Sequence, residues 1–289
     1  MPEPSRRPVI LIGAARSGTK FLRDVIGRSA EFATVPYDVN YVWRMADPRA
    51  GHDALDPAQL SARHAERIRA TLRSLAGLGA GDDRRLIEKT VSNTLRVPYV
   101  DAVFPDALFI HLVRDGHAVT ESSLRMWQAP PDRQGLARKL RDLPLSNIGY
   151  VAWFAVNYAK GLLKGRTGGE VWGPRYPGIL DDLARMSLIE VVARQWAMSV
   201  RHADAALSDI PAERVLTVRY EDLMSDATQL PRLCAFLGIE DPRVVQAEFD
   251  AKADARNLEK WRESLSESDI ASIRKIAADE LRRHGYLDR

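Results

Sequence analysis

The run PVILI at residues 8–12 leads into Gly13 and then into a stretch whose apolar positions Phe21, Leu22, Val25 and Ile26 share one helical face. A short, wholly apolar run with no polar alternation is the pattern of a strand covered on both faces. Such a strand needs parallel neighbours, and parallel neighbours need helical crossovers. The rest of the chain supplies both. Further strands are expected at 31–35 (a weaker one), 85–88, 107–113 (ALFIHLV) and 214–218 (RVLTV). Helices are expected from Asp56-Pro57 to about Ala76, and at 116–127, 181–207, 225–237 and 266–284, the last with an N-cap in Ser266-Glu-Ser-Asp269. The expected fold is α/β: a single domain over 1–289 with a central parallel sheet flanked by helices on both faces. An insertion at about 129–180, rich in Pro, Gly and Trp, interrupts it and reads as a substrate loop or lid.

Composition narrows the function classes. The chain has 289 residues, 45% hydrophobic and 28% charged, with a formal net charge of +3. These values describe a globular protein and exclude collagenous, low-complexity and disordered classes. One cysteine, Cys234, excludes a disulfide scaffold; among Leu233, Phe236 and Leu237 it reads as core. No apolar run is long enough to span a bilayer: the stretch 149–159 is broken by Asn157 and followed by Lys160. The expected location is cytoplasmic. No nucleic-acid partner is expected, because no basic stripe carries interleaved aromatics.

The first strand–helix turn carries chemistry. Gly13-Ala-Ala-Arg16-Ser17-Gly18-Thr19-Lys20 brings backbone N–H groups and a helix N-terminus to one point, where phosphate binds. Arg16 and Lys20 add charge; Ser17 and Thr19 add hydroxyls. Gly13 and Gly18 have the spacing of a nucleotide triphosphatase P-loop, and the expected fold is P-loop-NTPase-like. The next residues, however, are Thr19-Lys20 rather than Lys-Thr, which displaces both the phosphate-reaching lysine and the magnesium-binding hydroxyl.

A second signal follows the strongest strand. Arg114 stands after its C-terminal end, and Ser122 lies about one and a half turns into the next helix, a fork and a hydroxyl suited to a phosphomonoester. The plain alternative makes Arg114-Asp115 a surface pair and Ser122 a helix filler. Position favours the ligand reading, since Arg16, Lys89, Arg114 and Tyr220 all follow C-terminal ends of expected strands, the ligand-binding edge of open α/β sheets.

These residues resemble the sulfotransferases that use 3′-phosphoadenosine-5′-phosphosulfate (PAPS). Arg16-Ser17-Gly18-Thr19 is similar to the 5′-phosphosulfate loop of that family, and Arg114 with Ser122 to its 3′-phosphate pair. Glu88-Lys89-Thr90 resembles the strand end beside the transferred group. Arg219-Tyr220-Glu221-Asp222 and Leu233-Cys-Ala-Phe-Leu-Gly238 are similar to its Tyr-Glu-Asp and Phe-Leu-Gly segments. Lys260-Trp261-Arg262 resembles the C-terminal segment that closes over the nucleotide. The histidine that phenol and alcohol sulfotransferases place after Lys-Thr is replaced by Val91, so the resemblance there is to enzymes with a carboxylate base.

The resemblance implies sulfuryl transfer to an acceptor hydroxyl or amine by in-line displacement, with PAPS as donor and no metal. Arg16, Asp38 and Lys89 are then the catalytic residues. Arg16, Ser17, Gly18, Thr19, Lys20, Phe21, Arg114, Ser122, Tyr220, Lys260, Trp261 and Arg262 bind the nucleotide. Asp38 is the favoured base, with His52, Asp53 or Glu88 as alternatives; His52 and Asp53 otherwise read as surface loop, and His117 as an exposed residue of a first helical turn. Residues 37–44 and the 129–180 insertion are expected to shape a pocket for a sugar, phenol, lipid or natural product. Trp153, Trp172 and Trp196 read as core or lid packing. A P-loop kinase or NTPase, or a non-catalytic nucleotide-binding protein, is the alternative.

Overall fold

The chain pairs its five strands in the order β2-β3-β1-β4-β5, every pair parallel. The computed structural model describes residues 7–129, 171–255 and 258–287. The strands are β1 (Val9–Ile12), β2 (Phe32–Thr34), β3 (Arg85–Glu88), β4 (Leu108–Val113) and β5 (Val215–Arg219). Each lies within a residue or two of the position its apolar run indicates. The chain passes from β1 outward to β2, returns to β3 beside β1, and crosses to β4 on the other side. The direction therefore reverses at β1 and β4, and ligands of open α/β sheets bind outside that reversal.

The helices are α1 (Thr19–Ile26), α2 (Asn40–Trp43), α3 (Ala62–Leu75), α4 (Val97–Val103), α5 (Gly116–Gln128), α6 (Ile179–Arg185), α7 (Leu188–Leu207), α8 (Tyr220–Ser225), α9 (Gln229–Leu237), α10 (Pro242–Lys252), α11 (Trp261–Ser264) and α12 (Glu267–Arg283). Successive strand residues feed opposite faces. Ile10, Ile12 and Phe109 pack with Val42, Ile68, Leu72 and Val100 on one face; Val9, Leu11, Ile110 and Leu112 pack with Leu22, Val25, Leu233 and Val245 on the other. Each fully buried Ile or Leu contributes about 1.5–3 kcal/mol, so the edge carrying the site is held by a two-sided core. Cys234 belongs to the second face, and burial pushes its thiol up to about 11, as its core reading requires.

Three helices begin differently from the sequence expectation; the one expected from residue 225 starts at Gln229, after the separate short helix Tyr220–Ser225. The helix expected from Asp56-Pro57 divides. Asp56 caps only a 3-10 turn at Pro57–Gln59, and Leu60 is extended. Ser61 then caps α3 by accepting the His64 N–H. The helix expected at 181–207 divides likewise, into α6 and α7, because Ser187 and Glu190 form a capping box that starts a new helix. The cap of the last helix is found as expected, with Ser266 accepting the Asp269 N–H. Most of the 129–180 insertion, Trp153 included, lies outside the described residues. At its described end Trp172 and Pro174 carbonyls accept from Gln195 Nε2, at 2.9 and 2.7 Å, and Trp196 is buried under Gly116. Among the described residues no helix is long and apolar enough to cross a membrane.

Candidate active site

The turn after β1 is shaped by two close approaches. A Cβ on Gly13 would lie 2.7 Å from the Leu112 carbonyl oxygen, so only glycine lets β1 leave the sheet beside β4. Gly18 sits at φ 90° and heads α1, and a side chain there would strike the Tyr220 ring. The Ser17 N–H is taken by the Ala14 carbonyl, and the first α1 bond runs from Leu22 to Gly18. The amides of Thr19, Lys20 and Phe21 therefore head the helix without intrahelical acceptors, the arrangement that receives an anion. Ser17 Oγ is buried with no hydrogen-bond partner among the described residues.

Arg16 has a left-handed backbone, φ 68°, which turns its side chain across the edge toward α5. There its Nε donates to Ser122 Oγ at 2.9 Å. Arg114 Nη1 donates to the Arg16 carbonyl at 3.1 Å, and its guanidinium lies 4.7 Å from the centre of the Tyr220 ring. Arg16, Arg114, Ser122 and Tyr220 thus form one cluster. Burial, together with the charges of Arg114 and Arg125, lowers the Arg16 pKa. A guanidinium disfavoured in this way gains from an incoming anion.

Lys20 points elsewhere: its ammonium pairs with Asp24 at 2.6 Å on the exposed side of α1. Phe21 is partly buried, edge-on to Phe249 at 5.6 Å. Lys260 and Arg262 are exposed, with the Arg262 guanidinium 4.7 Å from the Trp261 ring centre. Trp261 itself is buried and stacks on His117 at 4.6 Å, which brings the C-terminal segment onto the first turn of α5.

His117 is therefore not the exposed residue its place in a first turn suggests. It is fully buried, and Asp115, the buried cap of α5, accepts from its backbone N–H at 2.9 Å and contacts its Nδ1 at 2.8 Å. Nor are Arg114 and Asp115 a surface pair. The Asp115 N–H donates to Glu221 Oε1 at 3.0 Å, while Glu221 Oε2 accepts from the Tyr286 hydroxyl at 2.5 Å. Sequence reasoning assigned Glu221 and Tyr286 no role. The carboxylate beside Tyr220 and the Tyr after Gly285 were the available signals.

On the β3 side, Lys89 Nζ donates to both oxygens of Asp38, at 3.0 and 2.9 Å. Asp38 Oδ1 also accepts the Val91 N–H at 3.1 Å. Lys89 is buried and the Asp38 side chain is 36% exposed, so the carboxylate is the solvent-facing member of the pair.

Behind this pair lies a buried polar layer. Glu88 is fully buried and accepts from Thr90 Oγ1 at 2.5 Å, Trp43 Nε1 at 3.2 Å and Asn93 Nδ2 at 2.8 Å. Burial pushes its pKa up to about 7, against the donors Thr90 and Trp43 and with the Asp38 charge adding to the rise. Asp53, expected in a surface loop, is instead 1% exposed. It accepts from Asn40 Nδ2, Ser92 Oγ and the Arg175 N–H, each at 2.9 Å. Burial would raise its pKa, but the Arg96 charge, the Asn40 and Arg175 hydrogen bonds and the Arg44 charge outweigh it and hold the carboxyl below its ordinary range. His52 is half-buried beside it. Of residues 37–44, Tyr37, Val39, Tyr41, Val42, Trp43 and Arg44 are buried, leaving Asp38 and Asn40 toward the surface. Among the described residues no group of three or more His, Cys, Asp or Glu side chains could hold a metal.

The arrangement can receive an anion at the β1–β4 reversal and present a carboxylate–ammonium pair at the end of β3. A family model described as the sulfotransferase family matches residues 8–145 and 181–243, well over half of the chain. A sulfotransferase domain from the curacin biosynthetic pathway has a TM-score of 0.52 at 16% identity, covering 93% of this chain and 96% of that one. The sulfotransferase domain of the Synechococcus PCC 7002 olefin synthase has a TM-score of 0.50 at 17% identity, covering 94% and 96%. Sulfotransferase STF9 from Mycobacterium avium has a TM-score of 0.51 at 15% identity, covering 97% and 77%. At these identities the likeness concerns the fold. No curated protein matches the chain at a significant level.

Proposed function

The chain belongs to the sulfotransferase family, and from that premise we propose that it moves the sulfuryl group of PAPS to an acceptor hydroxyl or amine by in-line displacement. The observation that carries the proposal is the meeting of Arg16, Arg114 and Ser122 at the sheet reversal, beside a Lys89–Asp38 pair on the same edge.

The roles follow from where charge develops. The head of α1, with Ser17 and Thr19, holds the 5′-phosphate. Arg114 and Ser122 hold the 3′-phosphate, which selects this donor over a nucleoside triphosphate. Tyr220, with Phe21 and the Lys260-Trp261-Arg262 segment, borders the nucleoside. Arg16 and Lys89 stabilise negative charge on the sulfuryl oxygens and on the oxygen of the departing phosphate. Asp38, released from Lys89 as that ammonium turns to the donor, accepts the acceptor proton. The kinase reading is disfavoured by Lys20, which lies on Asp24 at the outer face of α1. The 129–180 segment is proposed as the acceptor loop of a single domain, and the acceptor as a sugar, phenol, lipid or natural product.

Thermal denaturation tests the donor site. Millimolar adenosine 3′,5′-bisphosphate without metal raises the melting temperature, and by more than Mg-ATP does, because a ligand of the native state must stabilise it. No shift would remove the donor assignment; a larger shift with Mg-ATP would favour a kinase. A panel of sugars, phenols and lipids incubated with radiolabelled PAPS then tests transfer. Bisphosphate binding without labelling of any acceptor would favour a nucleotide sensor.

A further inference from the structure

We propose that Glu88 is a positioning residue that sets the Asp38 carboxylate against Lys89. The inference rests on the roles given to Asp38 and Lys89 above. Glu88 touches neither of them by hydrogen bond, and its full burial keeps it from an acceptor. Its three donors come from three separate places: Trp43 in α2, Asn93 in the 3-10 turn Val91–Leu95, and Thr90 between that turn and β3.

Thr90 is the link. Its hydroxyl donates to Glu88 and accepts the Val39 N–H at 3.1 Å. Val39 follows Asp38 directly. On the other side of Asp38, the Val91 N–H, next to Thr90, donates to Asp38 Oδ1. One buried carboxylate therefore fixes the backbone on which Asp38 stands, the turn that supplies its N–H partner, and the end of the strand that carries Lys89.

A buried acceptor with three donors is costly to disturb, since each donor left unpaired keeps its desolvation penalty. Any other residue that merely filled this space would leave the Thr90 hydroxyl without a fixed direction. Arg96, whose Nε donates to Asn93 Oδ1 at 2.9 Å, orients Asn93 in turn. The assembly is held by the three bonds to Glu88, the Val39 bond to Thr90 and the Arg96 bond to Asn93.

Two conservative variants test the proposal on the full-length protein. Glu88→Gln keeps the shape but places an amide donor opposite one of the three donors. Thr90→Val removes the link to Val39 and leaves Glu88 in place. Hydrogen exchange of the Val91 amide reports directly whether the Asp38 carboxylate is seated, and needs no activity. Both variants are expected to speed Val91 exchange roughly tenfold relative to Ile110 in β4, two strands away in the sheet. Both are expected to lower kcat roughly 10- to 100-fold, the scale of a small misplacement of reacting groups, with the KM for the donor unchanged. Unchanged Val91 exchange in both folded variants overturns the proposal, whatever happens to kcat. If the parent protein transfers no sulfuryl group, the function proposed above fails, while the exchange measurement still decides the positioning of Asp38.

Discussion

Arg16 and Arg114 meet a hydroxyl, a carbonyl and an aromatic ring, whereas Lys89 meets a carboxylate held by two contacts. The two ends of one strand edge thus treat positive charge differently. At the β1–β4 end, burial together with the Arg114 and Arg125 charges disfavours the Arg16 guanidinium, which gains from an anion brought in from outside. At the β3 end the charge is already neutralised, and a polar layer behind it holds the neutralised pair in register. The first end suits tight binding of a highly anionic group. The second suits a group that must be poised yet exchange its partner during a reaction.

Substitutions can break this contrast. The largest effect is expected from Asp38→Asn, which lowers sulfuryl transfer by ~10²–10⁴-fold, the usual contribution of a general base, with the bisphosphate-induced melting shift intact. Loss of that shift would show that both ends serve binding alone. Arg114→Ala is expected to raise the bisphosphate Kd roughly 10- to 100-fold, the value of charge-assisted hydrogen bonds, as read by titration calorimetry. A change within twofold would remove Arg114 from the donor side.

Glu88→Gln sharpens the contrast through pH. The Glu88 carboxyl has a pKa of about 7, raised from an ordinary 4.5. Between those values the folded state therefore holds a proton that the unfolded state has released. The stability this provides is present in full below 4.5 and is lost as pH rises through 7, with a slope of up to about 1.4 kcal/mol per pH unit. Denaturant unfolding at pH 5 and 7.5 should show the parent losing more stability over that interval than Glu88→Gln does. Equal losses would place the titration elsewhere. The smallest effect is expected from Lys20→Ala. An exposed i,i+4 pair with Asp24 contributes only a few tenths of a kcal/mol, so bisphosphate affinity should change less than threefold. A larger change would bring Lys20 back to the phosphate.

The sheet was legible because buried parallel strands leave largely apolar runs: β1 is wholly apolar and β4 is broken only at His111, while β3 has just Leu86 and Ile87 between two charged residues. The donor-side cluster was legible because a glycine turn and an Arg–Ser spacing are local patterns. His117 and Asp53 were misread for the opposite reason. What buries His117 is Trp261, and what encloses Asp53 is the backbone of Arg175, both remote in the chain. The breaks at Ser61 and Ser187 were written locally as capping residues, but continuous apolar spacing outweighed them. Glu88 stood beside Lys89 in a motif already singled out; its three donors come together only when α2 folds back over the end of β3.

The left-handed backbone of Arg16 has an evolutionary consequence. A non-glycine residue at φ 68° carries a conformational cost on the order of 1 kcal/mol. Selection for thermal robustness alone would drift this position toward glycine, which adopts that geometry freely. Keeping arginine there sets durability against ligand recognition within a single codon. Stabilised descendants of this protein that replace Arg16 should therefore be examined first for lost nucleotide recognition.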